Sequence, residues 1–163
     1  DVSSFDVVSQ VDMQEVKNAV DQTLKEIRQR FDFKDSKTDL TLKEKEKELV
    51  VVSDDEYKLT AVLEIMKAKF VKRHVSLKAL TYGTVEQALG GTVRQTITLQ
   101  SGIAADKAKL ISQAIRDGKF KAQPQIQGDQ VRIQSKSKDE LQAVMAFLKQ
   151  KDFGIDLQFI NYR

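Results

Sequence analysis

The sequence predicts an α+β protein assembled from two copies of one small unit, and two observations carry that reading. The first is the stretch from Gln123 to Leu148. Gln125-Ile126-Gln127 and Gln130-Val131-Arg132-Ile133-Gln134 alternate polar and apolar residues, the period of a half-buried strand. Gly128-Asp129 between them is a turn pair, so the two strands form a hairpin. Ser137-Lys138-Asp139-Glu140 has the S-x-x-E form of a capping box, and Leu141, Val144, Met145 and Leu148 follow at helical spacing. The second observation is that half of this stretch recurs upstream. At an offset of 82 residues, Leu49–Ser53 overlies Val131–Ser135, Leu59–Lys67 overlies Leu141–Lys149, and Val75–Leu80 overlies Leu157–Tyr162. A self-match at a fixed offset is the mark of duplication.

The elements follow in order. Phe5–Gln10 is a short strand rich in valine and phenylalanine. Asp12-Met13-Gln14-Glu15 resembles a capping box with Asp in first place. The helix behind it buries Val16, Val20, Leu24, Ile27 and Phe31 and keeps Lys17, Lys25 and Arg28 in water. A strand around Thr38–Leu42 comes next, then a sign-alternating solvated turn, Lys43–Glu48. Leu49–Val52 is apolar on both faces, as in a sheet interior. Ser53-Asp54-Asp55-Glu56 reads as a second S-x-x-E cap for a helix running to about Arg73. Its end carries Lys67, Lys69, Lys72, Arg73 and His74. Such cations complement a helix dipole, and a phosphate-binding patch is the sharper alternative.

Val75–Leu80 closes the first unit, and the glycine-bearing Tyr82–Thr92 is the boundary region. Val93–Gln100 alternates as a strand, with Val93, Ile97 and Leu99 on one face and Arg94, Thr96 and Thr98 on the other. Ser101 then caps a helix that buries Leu110, Ile111, Ala114 and Ile115 and ends near Gly118. Leu157–Tyr162 is the last strand. Each half therefore reads β-α-β-β-α-β, the ferredoxin-like split βαβ order, with two helices on one face of an antiparallel sheet. In the second half the helix-free face would show Gln123, Gln125, Gln127, Gln130, Arg132 and Gln134, if Ile126, Val131 and Ile133 point to the helices. Amides and an arginine on a sheet can bond bases and phosphates, and are equally what an ordinary wet face presents.

Bulk properties narrow the function classes. A chain of 163 residues, 40% hydrophobic and 31% charged, is expected to be soluble and globular, one ordinary domain or two small ones. No apolar run approaches the roughly 18 residues of a membrane-spanning helix, and no secretory pattern opens the sequence, so a cytoplasmic location without membrane attachment is expected. Cysteine is absent, which removes disulfides, thiolate nucleophiles and cysteine metal sites. The net charge of +3 is unevenly spread along the chain. Residues 1–90 carry 15 Lys+Arg against 17 Asp+Glu, giving −2; residues 91–163 carry 12 against 7, giving +5. A phosphate ligand is therefore expected in the C-terminal half, although ordinary surface scatter gives the same pattern.

Catalytic signatures are missing. His74 is the single histidine, so neither a histidine metal cluster nor a histidine pair can form. No G-x-S-x-G elbow and no glycine-rich phosphate loop occurs. Carboxylates such as Asp54 and Asp55 sit where helix capping explains them. No cofactor and no enzymatic activity are expected. The aromatic RNA-stacking motif of similarly folded RNA-binding domains is also absent, because Leu49–Val52 and Val131–Gln134 contain no aromatic residue.

Several blocks together resemble one family. Ser4-Phe5-Asp6-Val7-Val8-Ser9, Gln14-Glu15-Val16-Lys17-Asn18-Ala19-Val20, Arg30-Phe31-Asp32-Phe33-Lys34, Gln125–Asp129, Lys138–Met145 and Phe159-Ile160-Asn161-Tyr162-Arg163 are similar to the YajQ family of bacterial proteins, across nearly the whole chain and in order. The resemblance implies a tandem of ferredoxin-like, RNP-like domains with exchanged first strands. Residues 13–90 would form the first with strand 93–100, and residues 101–163 the second with strand 5–10. It also implies nucleotide binding, with cyclic di-GMP effector activity in some members and association with RNA or tRNA suggested. No family residue set for a ligand comes with it, so the candidate site rests on chemistry. Arg132, Arg163, Arg30 and Arg73 are the phosphate candidates, Phe33 and Tyr162 the stacking ones, and Gln125 and Asn161 the readers of a base edge. Arg30 and Arg73 also fit as helix-end charges, and Arg132 as a salt-bridge partner of Asp129. The expected function is a non-enzymatic nucleotide-binding regulator taking cyclic di-GMP, GTP or ATP. An RNA-associated module and a protein-interaction scaffold are the alternatives.

Overall fold

A computed structural model describes all residues, Asp1–Arg163. The chain divides into two compact units, residues 11–100 and residues 1–10 together with 101–163. The first of these contains α1 (Met13–Gln29), β2 (Asp39–Lys43), β3 (Glu48–Ser53), α2 (Glu56–Lys72), β4 (Leu80–Tyr82), β5 (Glu86–Gln87) and β6 (Val93–Leu99). The other contains β1 (Ser3–Val8), α3 (Ala105–Asp117), β7 (Gln123–Gln127), β8 (Gln130–Ser135), α4 (Lys138–Gln150) and β9 (Gln158–Ile160).

Both sheets are antiparallel and share one order. In the 11–100 unit it is β2-β3-β6-β4, with β5 pairing to β6; in the other it is β7-β8-β1-β9. Each is the ferredoxin-like arrangement. In each, the place of the strand that should precede the first helix is taken by the strand that precedes the first helix of the other unit. β1 precedes α1 in sequence but pairs with β8 and β9, with Phe5 opposite Ile133 and Val7 opposite Phe159. β6 precedes α3 but pairs with β3 and β4, with Leu49 opposite Ile97 and Leu80 opposite Leu99. The first strands are exchanged.

The internal repeat is exact where it was most legible. β3 and β8 share their boundaries at the 82-residue offset, as do the first residues of α2 and α4, and both strands alternate half-buried and buried positions. Buried Leu49 and Val51 on β3 match buried Val131 and Ile133 on β8. The hairpin turn at Gly128 has φ 61°, a left-handed conformation that glycine adopts freely, which suits a two-residue turn joining Gln127 to its partner Gln130.

Several local expectations need correction. Helix α1 stops at Gln29, and Phe31, placed with its buried stripe, lies in a 3-10 turn and is 87% exposed. The cap of α2 is Asp55, which accepts from Lys58 N at 2.7 Å; Ser53 is still in the β3 ladder opposite Val93. Asp54 instead takes the Ser36 hydroxyl and Lys37 N. Helix α3 begins after Ala104 with no side-chain cap, because Ser101 is held in a bridge to Gln10. Its buried face is Ala108, Ile111, Ser112 and Ile115, one step round from the expected stripe, which leaves Leu110 55% exposed. Leu77–Ala79 is a 3-10 turn, so the closing strand starts only at Leu80. On β7, Ile126 is 43% exposed because it sits on an edge strand beside the hairpin turn.

The 11–100 unit has a core of Val16, Val20, Ile27, Leu40, Leu49, Val51, Val62, Met66, Phe70 and Ile97. The other has Phe5, Val7, Ile111, Ile115, Val131, Ile133, Val144 and Leu148. Phe5 and Val7 come from β1 and are fully buried at the centre of the second sheet. Deleting residues 1–10 should therefore unfold the 101–163 part and leave the 11–100 part folded. Amide NMR spectra of the truncated chain should keep dispersed signals for 11–100 and lose them for 101–163. Retained dispersion in both would refute this dependence.

Candidate functional site

The helix-free face of the β7-β8-β1-β9 sheet carries the densest polar constellation in its unit. Side chains of one face form rows across the strands. One row is Gln125, Arg132, Asp6 and Ile160; the next runs through Gln123, Gln134 and Ser4. Asp6 is the hub. It is 1% exposed, and its carboxylate accepts from Arg132 Nε at 2.8 Å, from Arg132 Nη2 at 3.3 Å and from Asn161 Nδ2 at 2.8 Å. The bonds from Arg132 hold the Asp6 carboxyl below the ordinary aspartate range against the opposing effect of burial, with further help from Asn161 and the charge of Arg163. The same pairing raises the already high pKa of Arg132.

Asn161 reaches Asp6 because the last strand bulges. Asp6 pairs with Ile160, while Ser4 exchanges backbone bonds with Arg163, Ser4 N to Arg163 O at 3.2 Å and Arg163 N to Ser4 O at 3.0 Å. Asn161 and Tyr162 therefore stand opposite the single residue Phe5, which defines a β-bulge. Asn161 adopts φ 58°, the left-handed conformation that Asn tolerates better than most residues. Simple alternation would turn Asn161 to the helix side with Phe159; the bulge re-aims it at Asp6. Tyr162 then stacks on Phe5 with centroids 6.3 Å apart, yet keeps 61% of its surface open.

Beside that bulge lies a shallow cavity of about 270 Å³, lined by Ser3, Ser4, Lys138, Leu141, Gln142, Met145, Tyr162 and Arg163. It combines an exposed aromatic ring, two cations, an amide and two hydroxyls. Lys138 opens α4, whose N-cap Ser137 accepts from Glu140 N at 3.2 Å. The positive end of that helix dipole lies at the same place.

The eight sequence-derived candidates thus fall into two groups. Arg132, Asn161, Gln125, Tyr162 and Arg163 share one sheet, with only Tyr162 and Arg163 lining the cavity. Arg132 is engaged with Asp6, not Asp129, and Gln125 accepts from Gln127 at 3.4 Å. Arg30, Arg73 and Phe33 belong to the 11–100 unit. Arg30 grips Asp32, with Nη2 to Oδ2 at 2.8 Å, and reaches Glu26 at 3.4 Å. Arg73 holds Glu15 through two bonds, at 2.7 and 3.1 Å. Phe33 is buried, with Arg30 and the Lys58 ammonium over its ring at 5.6 and 4.8 Å. At the end of α2, Lys69 pairs with Glu26 at 2.8 Å and Lys67 with Glu64 at 3.5 Å, so these cations brace helices. Among the four candidate arginines, only the Arg163 guanidinium is not already on a carboxylate.

Sequence reasoning missed Asp6, Lys138 and Gln142. An aspartate between Phe5 and Val7 in an apolar strand was the available signal, since such a carboxylate needs a buried partner. The charge asymmetry read along the chain also changes once strands are assigned to units. Residues 1–10 with 101–163 carry 11 Lys+Arg against 9 Asp+Glu, giving +2; residues 11–100 carry 16 against 15, giving +1. The basic excess read along the chain is therefore not a property of one unit.

Geometry and sequence now define a class: paired ferredoxin-like units with one helix-free polar sheet and an aromatic, cationic cavity at its edge. Comparison with known proteins identifies the group within that class. A family model described as "Nucleotide-binding protein YajQ-like" matches residues 3–163. A Carboxydothermus hydrogenoformans protein named "Nucleotide-binding protein" is 56% identical over 160 residues, covering 98% of this chain and 97% of its own. One of the same name from Desulfitobacterium hafniense is 57% identical over 161 residues, covering 99% and 98%; another from Solibacter usitatus is 52% identical over 161, covering 99% and 97%. The chain belongs to the YajQ-like family.

The Asp6 hub yields a pH prediction. A carboxyl whose native pKa is lowered contributes stability that is complete above its unfolded pKa, near 3.8 here, and lost as pH falls through the lower native value. Asp6→Asn should cost about 2 kcal/mol near neutrality, the scale of hydrogen bonds to a charged group. That gap should stay constant down to about pH 5 and close below about pH 4. Urea unfolding across a pH series checks it; a gap that persists at low pH would show that Asp6 acts by shape, not charge.

Proposed function

We propose that this chain is a non-enzymatic nucleotide-binding protein whose ligand seats at the cavity formed by Tyr162, Arg163, Lys138 and Gln142. The observation that carries the reading is the convergence there of an open aromatic face with a guanidinium free of carboxylate partners. A base stacks on Tyr162, the Gln142 amide reads its edge, and Arg163 and Lys138 take phosphate at the positive end of α4. The cavity is smaller than the roughly 300–1,000 Å³ of a site that encloses its ligand. It therefore holds one end of the molecule and leaves the remainder along the sheet edge. Arg132 acts as a positioning residue in this scheme: through Asp6 and Asn161 it fixes the bulge that presents Tyr162. Family membership and the names of the relatives support a nucleotide as the ligand. Cyclic di-GMP, bound as a regulatory signal that alters gene expression, is the first candidate, with GTP and ATP next.

A second reading is favoured by the amide-rich face itself. Gln123, Gln125, Gln127, Gln130 and Gln134 line the same sheet as Arg132, and such a face can follow a single RNA strand by hydrogen bonding.

Isothermal titration calorimetry with cyclic di-GMP, GTP, ATP and a short RNA separates these. The nucleotide reading expects saturable binding that Tyr162→Ala weakens about tenfold, the scale of one lost base stack, with a comparable loss for Arg163→Ala. Binding of RNA alone, falling steeply with added salt, would replace it with the second reading. Silence toward all four would overturn both.

A further inference from the structure

The cavity at Tyr162 holds only one end of a nucleotide, and a second cavity adjoins it. This one measures about 620 Å³, within the roughly 300–1,000 Å³ of sites that enclose a ligand. The two share a partition. Val2 lines one and Ser3 the other, and Ser137 and Lys138 at the start of α4 divide in the same way. Strand register gives the width of the pair. At one level of the sheet stand Gln123, Gln134 and Ser4, with Arg163 bonded to Ser4 beyond them. Four segments make three inter-strand spacings, roughly 14 Å, which leaves room beside a stacked base for more than its own phosphate.

Charge has one sign across both cavities. Lys121 and Lys136 line the second, Lys138 and Arg163 the first, and no carboxylate lines either. Lys121 and Lys136 are exposed, and neither is ion-paired. Of the acids nearest in sequence, Asp1 and Asp139 line neither cavity, and Glu140 accepts from Lys121 N at 2.8 Å. The Ser135 hydroxyl donates to Lys121 O at 2.6 Å and accepts from Ser137 N at 3.1 Å. These bonds fix the backbone on both sides of Lys121 and tie it to the segment bearing Lys136, which leaves both ammonium groups to the cavity. The remaining lining suits a nucleoside better than bare phosphate. Phe120 is half-buried, Val2 and Ala122 are apolar, and Gln123 and Gln134 bring amides. An aromatic ring, amides and unpaired cations are the groups that bases and phosphates use.

We propose that the second cavity receives the remainder of the ligand, so that the site takes a linear dinucleotide ending in a phosphate monoester. One base stacks on Tyr162, and the phosphodiester crosses the partition beside Arg163 and Lys138. The second nucleoside lies by Phe120, with its terminal phosphate at Lys121 and Lys136. Two lysines suit a free end, because a phosphate monoester carries roughly −1.5 to −2 charges at neutral pH and a bridging phosphate only one. The inference rests on the nucleotide reading above and, within it, sets a linear chain ahead of a cyclic one. Calorimetry with 5′-phosphorylated GpG tests it against three controls, each lacking one feature. Unphosphorylated GpG lacks the terminal phosphate, GTP the second nucleoside and cyclic di-GMP the free end. The phosphorylated dinucleotide should bind at least about tenfold more tightly than each control. K121Q/K136Q, at exposed positions, should weaken it about tenfold and leave both GpG binding and the Tm unchanged. Tyr162→Ala should weaken both dinucleotides. Equal affinity for GpG with and without the phosphate, GTP or cyclic di-GMP binding as tightly, or an equal effect of the double variant on both dinucleotides would overturn the second subsite and leave the Tyr162 site standing. Indifference of every ligand to Tyr162→Ala, or no binding by any, would overturn that site and this inference with it.

Discussion

A β-sheet is stable only when its inner strands have partners on both edges, and here each sheet is completed by the strand that precedes the first helix of the other unit. Backbone N–H and C=O groups of an inner strand must be paired, since leaving them buried and unbonded costs more than the net value of the bonds. β1 meets this condition between β8 and β9, and β6 meets it between β3 and β4. The apolar residues follow the same logic: Phe5 and Val7 complete one core, while Ile97 and Leu99 complete the other. Helices, caps and turns could all be altered locally without changing this dependence.

The polar face of the β1 sheet inherits its organisation from the exchange. Because β1 is central, Asp6 is flanked on one side by Arg132 of β8 and on the other by the last strand. One carboxylate thus ties together residues more than 120 positions apart, and the bulge at Asn161 is fixed to it. On the other sheet the position matching Arg132 is Val50 of β3, and its partner Thr96 of β6 stands where Asp6 does. The duplicated units share a backbone and differ in what that backbone presents: a charged hub in one, packed helices in the other.

Much of the fold was legible because its signals are local. Alternation in Gln130–Gln134, the cap at Ser137 and the apolar spacing of α4 each depend on neighbouring residues, and the copy at Leu49–Lys67 repeats most of them. The exchange was legible only through family resemblance. Alternation tells which way a side chain faces but not which strand lies beside it, and β1 would look the same paired with either unit. The site was harder for the same reason. Residue chemistry favoured every arginine equally, whereas Glu15, Asp32 and Asp6 occupy three of the four by contacts that no spacing rule encodes. Phe33 looked as suitable for stacking as Tyr162, yet one ring is buried beneath two cations and the other lies open.

The exchanged strands also set an order of events during synthesis. Residues 11–100 hold everything their sheet requires, so that unit can close as soon as Leu99 has left the ribosome. β1, made first, has no partner until β8 and then β9 appear, roughly 120 to 150 residues later. At ordinary elongation rates of about 5–20 residues per second, that is a wait of roughly 6–30 s. Throughout it, Phe5, Val7 and Val8 form an apolar β segment without a sheet, the kind of segment that nascent-chain chaperones protect from aggregation.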